Sequence, residues 1–462
     1  MSFIDEKKIE KLLQESKDPL KEKVLSVIEK ALKSKGLTPE ETAVLLQCED
    51  KTLLEKMFAA ARKIKEGIYG NRLVLFAPLY VTNICINNCL YCGFRRDNKE
   101  LVRKQLSMEE IRMEVEALLK QGHKRTLLLT GEDPVTSNIK YVEDAIKTVY
   151  SVKVGNGSIR RVNVNIAPLT TEDFKRLKAA GIGTYQLFQE TYHPETYKKM
   201  HPSGPKANYE WRLYVMDRAM KAGIDDVGIG ALFGLYDYRF EVLALLYHCL
   251  HLEEKFGVGP HTISVPRIES ALNAPLAENV PCKVSNDEFK KIVAIIRMAV
   301  PYTGMILSTR EVPPFRDEVI EVGISQISAG SRTNPGAYSE MTGHAPDSEQ
   351  FNVADTRTMP EIIKEQIRRG FLPSFCTACY RSGRTGDDFM KFAKTGEIKN
   401  FCLPNCLLTF KEYLLDYGDD ELRDMGGKMI LSELQKITDS RIKEKTIEKL
   451  AMLESGKRDL YF

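Results

Sequence analysis

From residue 73 onward the sequence alternates between two kinds of segment, and few folds accommodate that rhythm. Short apolar runs rich in β-branched residues recur at 73–80, 125–132, 161–168, 184–191, 227–235, 262–268, 305–311 and 324–331. Between them lie stretches such as SMEEIRMEVEALLKQGH, TTEDFKRLKAAG and NDEFKKIVAIIRMAV, whose apolar residues repeat with the helical period. Eight strands alternating with helices predict an α/β chain, either a TIM-type (βα)8 barrel or an open doubly wound sheet. Polar residues recur at the ends of the runs. A barrel gathers all such ends at one mouth, so the barrel is preferred.

The flanks do not share this rhythm. Residues 1–72 read as helices only and are expected to form an N-terminal helical cap. Thr38, Pro39 and Glu41 spell a helix start, with Thr38 as N-cap and Glu41 closing a capping box. The barrel is assigned to residues 73–371. After 371 the alternation stops, and residues 372–462 read as a C-terminal, mainly helical domain. Hydrophobic residues make up 43% and charged residues 28%, a globular balance. Lys plus Arg is 67 against 64 for Asp plus Glu, so the basic surplus of a nucleic-acid binder is missing. No run of about 18 apolar residues predicts a membrane span. The charged, helical start does not read as a signal peptide. A cytoplasmic protein with no nucleic-acid or membrane partner is expected.

Disulfides are not expected in such a compartment, so the ten cysteines need another explanation. Cys48, Cys249 and Cys282 are scattered, as small buried hydrophobes are. The other seven form two groups. Cys85, Cys89 and Cys92 follow the first strand with C-x3-C-x2-C spacing. Three thiolates on one loop can hold three irons of a 4Fe-4S cube and leave the fourth iron open. The competing reading is a zinc site short of one ligand, but zinc sites usually pair cysteines as C-x2-C. Cys376, Cys379 and Cys402 form a second group, C-x2-C-x22-C. With Cys406 as a fourth ligand that group could close around zinc. The expectation is instead that Cys406 packs nearby and that the second site also keeps an open iron.

The segment CINNCLYCGF resembles the signature of radical S-adenosylmethionine enzymes, with the aromatic Tyr91 just before the third cysteine. The resemblance implies that the open iron chelates the amino and carboxylate groups of S-adenosylmethionine. An electron from the cluster then cleaves that cofactor to a 5′-deoxyadenosyl radical. Gly131, Glu132 and Asp133 resemble the motif that contacts the cofactor's amino group; alone they would read as a strand-to-loop turn. Gly230, in Gly228-Ile229-Gly230-Ala231, resembles the glycine strand near the adenine, against a plain close-packing role.

Further segments look like the aromatic amino acid lyases of the same superfamily: Gln189-Glu190-Thr191-Tyr192, HPSGPKANYEWRL, VGIGALFGL, LSTRE and ISAGSRTNPGAY. By resemblance, Glu190 and Arg212 contact the cofactor, although Arg212 could equally sit on a solvated helix face. Arg310 and Ser331 are assigned to the substrate's carboxylate, since an Arg at a strand's end can clamp it with two parallel hydrogen bonds. An ion pair of Arg310 with Glu311 or another acid at the rim is the alternative. The segment GPHTISVPR, together with CTACYRSGRTGDDFM, CLPN and TFKEYLLDY, resembles the tyrosine-cleaving maturases of [FeFe]-hydrogenase. His261 within it is either an iron ligand or a hydrogen-bonding core residue.

This resemblance implies a lyase that splits L-tyrosine at Cα–Cβ into p-cresol and dehydroglycine. A second, auxiliary 4Fe-4S cluster, able to carry an additional iron with cysteine as its ligand, then turns dehydroglycine into carbon monoxide and cyanide. Other hydrogenase maturation proteins and an electron donor are the implied partners. Two alternatives stay open: a thiamin-pathway lyase that releases dehydroglycine, and a non-catalytic iron–sulfur or zinc scaffold.

Overall fold

The computed structural model describes residues 2–340 and 345–462. Eight strands pair in sequence order and all in parallel. They are β1 (Arg72–Thr82), β2 (Arg125–Thr130), β3 (Arg161–Asn165), β4 (Tyr185–Gln186), β5 (Val227–Gly230), β6 (Thr262–Ser264), β7 (Gly304–Leu307) and β8 (Gln326–Ser328). β8 pairs back onto β1 through Val74–Gln326, Leu75–Ile327 and Phe76–Ser328, which closes the sheet. The chain is a (βα)8 barrel, and the open-sheet alternative falls.

All but one of the eight runs form shorter strands than the sequence suggests, mostly at the C-terminal end. The run at 184–191 keeps only Tyr185–Gln186 as regular strand. The lost residues become the mouth, where side chains must point at one another rather than alternate. A ninth strand, β9 (Leu372–Ser374), was not anticipated: it holds Pro373 and spans three residues. It pairs with Arg72, Leu73 and Val74 at the start of β1, on the side that β8 occupies higher up. That edge position tolerates a residue with no N–H to donate.

Strand alternation divides the barrel into two layers. Leu73, Leu75, Ala77, Leu79 and Val81 of β1 join the large core between sheet and helices. Phe76 faces inward and packs with Leu127 and Ile306, while Pro78 and Tyr80 line the interior above them. Four helices precede the barrel: α1 (Glu6–Glu15), α2 (Lys21–Ala31), α3 (Pro39–Leu46) and α4 (Lys51–Tyr69). The expected capping box opens α3, where Glu41 N–H donates to Thr38 Oγ1 at 3.3 Å and Thr38 N–H to the Glu41 carboxylate at 2.9 Å. α4 lies along two barrel helices, Asn286–Ala299 and Pro313–Gly323.

The stretch read as one helix around Arg212 is two, Tyr209–Leu213 and Val215–Lys221, broken at Tyr214. Arg212 is buried there, so its solvated-face reading falls.

Candidate active site

The cysteine loop leaves β1 at Thr82 and passes over the barrel mouth. Its backbone is pinned from both sides: Ile86 N–H donates to Glu132 O, and Leu90 N–H to Met200 O. Cys85, Cys89 and Cys92 line one cavity together with Glu132, Glu190, Lys206, Arg212, Arg310 and Ser331. Gly131 allows the close approach of β2's end to this loop. A Cβ there would lie 2.1 Å from the Ile84 carbonyl oxygen.

A charged lattice forms one wall. Arg212 donates to the Glu132 carboxylate at 2.8 Å and to Phe188 O at 2.7 Å, and lies 3.6 Å from Glu190. Lys206 donates to Glu190 at 2.7 Å and lies 5.6 Å over the Tyr91 ring. Asn87 donates to Glu132 at 2.7 Å. Burial opposes the charge of Glu132, but Arg212 and Lys206 hold its carboxyl below the usual range. Burial and Arg212 likewise oppose the charge of Lys206, and Glu190 lifts it above its ordinary value. Glu190 takes a left-handed backbone with φ of 71°, which costs energy for a residue other than glycine and aims its carboxylate into the lattice. Tyr91 is held by a 2.7 Å hydrogen bond with His201 Nε2.

Arg310 and Ser331 sit on the same cavity without partners of opposite charge. The anticipated competitor, Glu311, is taken by Arg267, so Arg310 is not paired with it. Among the described residues no carboxylate pairs with Arg310. Its guanidinium lies 3.4 Å from the centre of the Phe351 ring. Burial pushes its ionisation below the ordinary range. The hydroxyls of Ser331 and Ser308 are buried with no hydrogen-bond partner among the described residues, and both line the cavity.

Other expected residues lie elsewhere. The Asp133 carboxylate accepts from Val135 N–H at 2.9 Å and from the Thr136 hydroxyl at 3.0 Å, so it holds its own turn. Gly230 packs closely behind the cavity wall: a Cβ there would lie 2.8 Å from both the Phe188 ring and Ser264 O, and both residues line the cavity. His261 stands at the start of β6, at the opposite end of the barrel from Arg310. Its Nδ1 is 3.6 Å from Asp226, its ring packs 4.4 Å from Phe389, and burial pushes its ionisation down to about 4. Lys206, Asn87 and Ser308 were not singled out from sequence. Lys206 lies inside HPSGPKANYEWRL, so that segment carried a signal for it.

The second cysteine group belongs to the end where His261 lies. Cys376 directly follows Phe375 and β9, which adds to the first residues of β1. Cys379 lies in the short helix Ala378–Arg381, and Cys402 in the helix Lys399–Tyr417. Burial pushes the thiols of Cys402 and Cys376 up, and the neighbouring cysteines add to it. Cys406 is fully buried and its thiol donates to Pro373 O at 3.3 Å, so it packs against β9.

The sulfurs fit a cluster better than a single ion. Among the described residues neither cysteine group brings three sulfurs within 4.8 Å of one another. A tetrahedral zinc with Zn–S bonds of about 2.3 Å would hold them roughly 3.8 Å apart. An iron–sulfur cube spans a wider set. Burial pushes the thiols of Cys85, Cys89 and Cys92 up to about 11, 12 and 11, so their thiolates call for bound metal.

Comparison with known proteins places this geometry. A family model described as the radical SAM superfamily matches residues 79–246, and one described as the biotin and thiamin synthesis associated domain matches residues 264–372. The 2-iminoacetate synthase of Salmonella typhimurium is 30% identical over 352 residues, which cover 76% of this chain and 90% of that protein. The chain belongs to the radical SAM superfamily. The crystal structure of HydG, a maturase of the [FeFe]-hydrogenase, is 58% identical with a TM-score of 0.97 and covers 100% of both chains. HydG from Carboxydothermus hydrogenoformans is 44% identical with a TM-score of 0.84, over 96% of this chain and 97% of that one. As a radical SAM enzyme, the chain uses S-adenosylmethionine and a 4Fe-4S cluster. The mouth suits such a pair, since three cysteines and the carboxylates and cations of the lattice line one cavity.

Proposed function

We propose that this radical SAM enzyme is a tyrosine lyase that feeds a second cluster, making carbon monoxide and cyanide for [FeFe]-hydrogenase maturation. The observation that carries the substrate reading is the unpaired Arg310 guanidinium beside the orphaned Ser331 hydroxyl, two donors aimed at one cavity. An amino acid carboxylate satisfies both. Cys85, Cys89 and Cys92 would hold the first cluster, which when reduced cleaves bound S-adenosylmethionine to supply a hydrogen-abstracting radical. Glu132 and Glu190, held by Arg212 and Lys206, are acceptors for an ammonium group, and Arg212 is a donor for a carboxylate. Arg310 and Ser331 fix tyrosine by its carboxylate and so present its amino group to the radical.

Loss of that hydrogen lets the Cα–Cβ bond break to dehydroglycine and a 4-hydroxybenzyl radical, which one electron from the electron donor and one proton convert to p-cresol. Dehydroglycine in turn holds the atoms of carbon monoxide, hydrogen cyanide and water. No external oxidant is needed for the second step. Cys376, Cys379 and Cys402 would hold the auxiliary cluster at the far end, with His261 beside it. Domain limits of 1–72, 73–371 and 372–462 follow from this division of labour, and the cytoplasm is its expected site. Hydrogenase maturation proteins, a cysteine ligand and an electron donor are its expected partners.

The test is anaerobic incubation with S-adenosylmethionine, reductant and tyrosine, on wild type and on a Cys376→Ala/Cys379→Ala variant. p-Cresol should largely survive in the variant, while carbon monoxide and cyanide should collapse. Simultaneous loss of both products in a folded variant with its first cluster intact would refute the division. A thiamin-type lyase would carry iron for one cluster only, and a scaffold protein would yield no 5′-deoxyadenosine.

A further inference from the structure

The far end of the barrel holds three arginines that no Asp or Glu pairs with among the described residues. Arg72 opens β1, Arg125 opens β2, and Arg384 lies just past the helix Ala378–Arg381. In all three the Nε–H is sealed from solvent and meets no acceptor. Among the described residues none of the three reaches an Asp or Glu carboxylate. Arg125 makes only a long 3.5 Å contact to Cys376 O, Arg384 donates to Phe462 O at 2.8 Å, and Arg72 lies 5.0 Å over the Tyr69 ring. Asp226, the acid whose charge Arg125 senses, is taken by Arg161 at 2.6 Å. Taking a guanidinium from water without a counter-charge is costly, and a single instance would be unusual. Arg125 is buried, Arg72 and Arg384 are partly so, and the gathering of their three unmet Nε–H groups around one small region points to an anion.

The thiols of the second group are that region. Arg72 pairs with Leu372 on β9, four residues before Cys376, Arg125 reaches Cys376 O at 3.5 Å, and the Arg384 backbone N–H donates to Cys379 O at 2.8 Å. The arginines reach it from three separate elements: the barrel floor supplies two and the C-terminal unit one. At the mouth Lys206 and Arg212 are already matched by Glu190 and Glu132, and the unmatched Arg310 is assigned to the substrate's carboxylate.

We propose that Arg72, Arg125 and Arg384 are positioning residues for the auxiliary cluster, balancing the negative charge of its thiolates and of an anionic ligand on its open iron, and thereby setting its reduction potential. The inference rests on the two-cluster reading above. Each added electron makes a cluster more negative, so nearby cations favour the reduced form and raise the potential. The same field favours an anionic ligand over water at the open iron.

One other group of ligand atoms gathers among the described residues: Glu6, Glu10 and His193. There His193 Nδ1 accepts the Thr196 N–H at 3.2 Å, which leaves the proton on Nε2, facing Glu6. That tautomer gives a metal no lone pair at Nε2, and no site is inferred.

The test is a redox titration followed by electron paramagnetic resonance on anaerobically reconstituted enzyme, which reads both clusters in one sample. Arg72→Gln, Arg125→Gln and Arg384→Gln should each move the auxiliary cluster to a more negative potential. The first cluster should stay where it is in wild type, and Arg→Lys at the same positions should restore most of the shift. Unmoved auxiliary potentials in glutamine variants that keep iron for both clusters would overturn the proposal. Where a glutamine variant loses the second cluster's iron, the lysine variant decides. Recovery of iron and potential supports a role for charge; failure of lysine as well means that arginine's shape matters, which also overturns it. Iron for only one cluster in wild type would instead refute the two-cluster reading.

Discussion

Two residues show how far a side chain's surroundings fix its work. Arg310 could have been a rim residue paired with Glu311. Because Arg267 takes that acid, the guanidinium is left as a buried donor facing the cavity. A charge-assisted pair of this kind is worth about 1.5–3 kcal/mol. Arg310→Gln should therefore raise KM for tyrosine about 10- to 150-fold, measured by p-cresol formation, while 5′-deoxyadenosine formation without tyrosine is unchanged. An unaltered KM would remove Arg310 from the substrate site.

Glu241 makes a pH prediction. Its carboxyl accepts from the Thr191 hydroxyl and from Tyr192 N–H, so it props the turn that carries the strained Glu190. Burial pushes its ionisation from 4.5 up to about 8, so the folded chain keeps this proton across that interval while the unfolded chain has lost it. Stability must then fall as pH rises from about 4.5 to 8. Glu241→Gln has no proton to lose, so its Tm should gain on wild type as pH rises through the same interval. A constant Tm difference would show that Glu241 does not titrate there. Glu241 was silent in the sequence because nothing in a helical FEVLALLYHCLHLEEKFG run marks which acid is buried.

At the level of elements, the sequence was most informative where a local rule decides. The capping box at Thr38 and all eight barrel strands follow from period and chain-local hydrogen bonding. Strand ends did not follow, because residues such as Gln189 and Glu190 leave the regular ladder for contacts with elements far away in sequence. β9 was hidden for the same reason: three residues with a proline become a strand only because β1 offers them an edge. Both cysteine loops were legible from spacing, whereas the lattice of Lys206, Asn87 and Arg212 needed three elements to meet. The glycine at the end of β2 links the two levels. Gly131→Ala would set a methyl 2.1 Å from the backbone oxygen of Ile84, a contact that no flexible side chain can relieve. The cysteine loop must shift, so the variant should lose the first cluster's iron and 5′-deoxyadenosine formation while keeping the second cluster's iron. Normal cleavage of S-adenosylmethionine by Gly131→Ala would mean that the loop has slack.

For the molecule as a whole, the important fact is that the two cysteine groups lie at opposite ends of one closed barrel. β2 runs from Arg125 at one end to Thr130 at the other, and its six residues span about 17 Å at 3.3 Å per step. Dehydroglycine is an imine that water destroys, so a route inside the barrel protects it better than one through solvent. The barrel waist has the character for it. Asn163, Gln186, Thr262 and Gln326 stand at its middle level, where a TIM barrel would ordinarily pack large apolar side chains. Gly228 and Gly304 stand among them. A Cβ on Gly228 would meet Thr262 Oγ1 at 2.4 Å and Gln186 Cγ at 2.8 Å, so added bulk there fills the waist without touching either cysteine group. Gly228→Val should leave p-cresol formation within about twofold of wild type, since the cysteine loop, the charged lattice and Arg310 are not among the atoms it meets. Carbon monoxide and cyanide per p-cresol should fall, and free glyoxylate, the hydrolysis product of dehydroglycine, should rise in step. If the ratio of carbon monoxide to p-cresol holds in a variant that keeps iron for both clusters, dehydroglycine reaches the second cluster by another path, and the barrel's closure serves the radical alone.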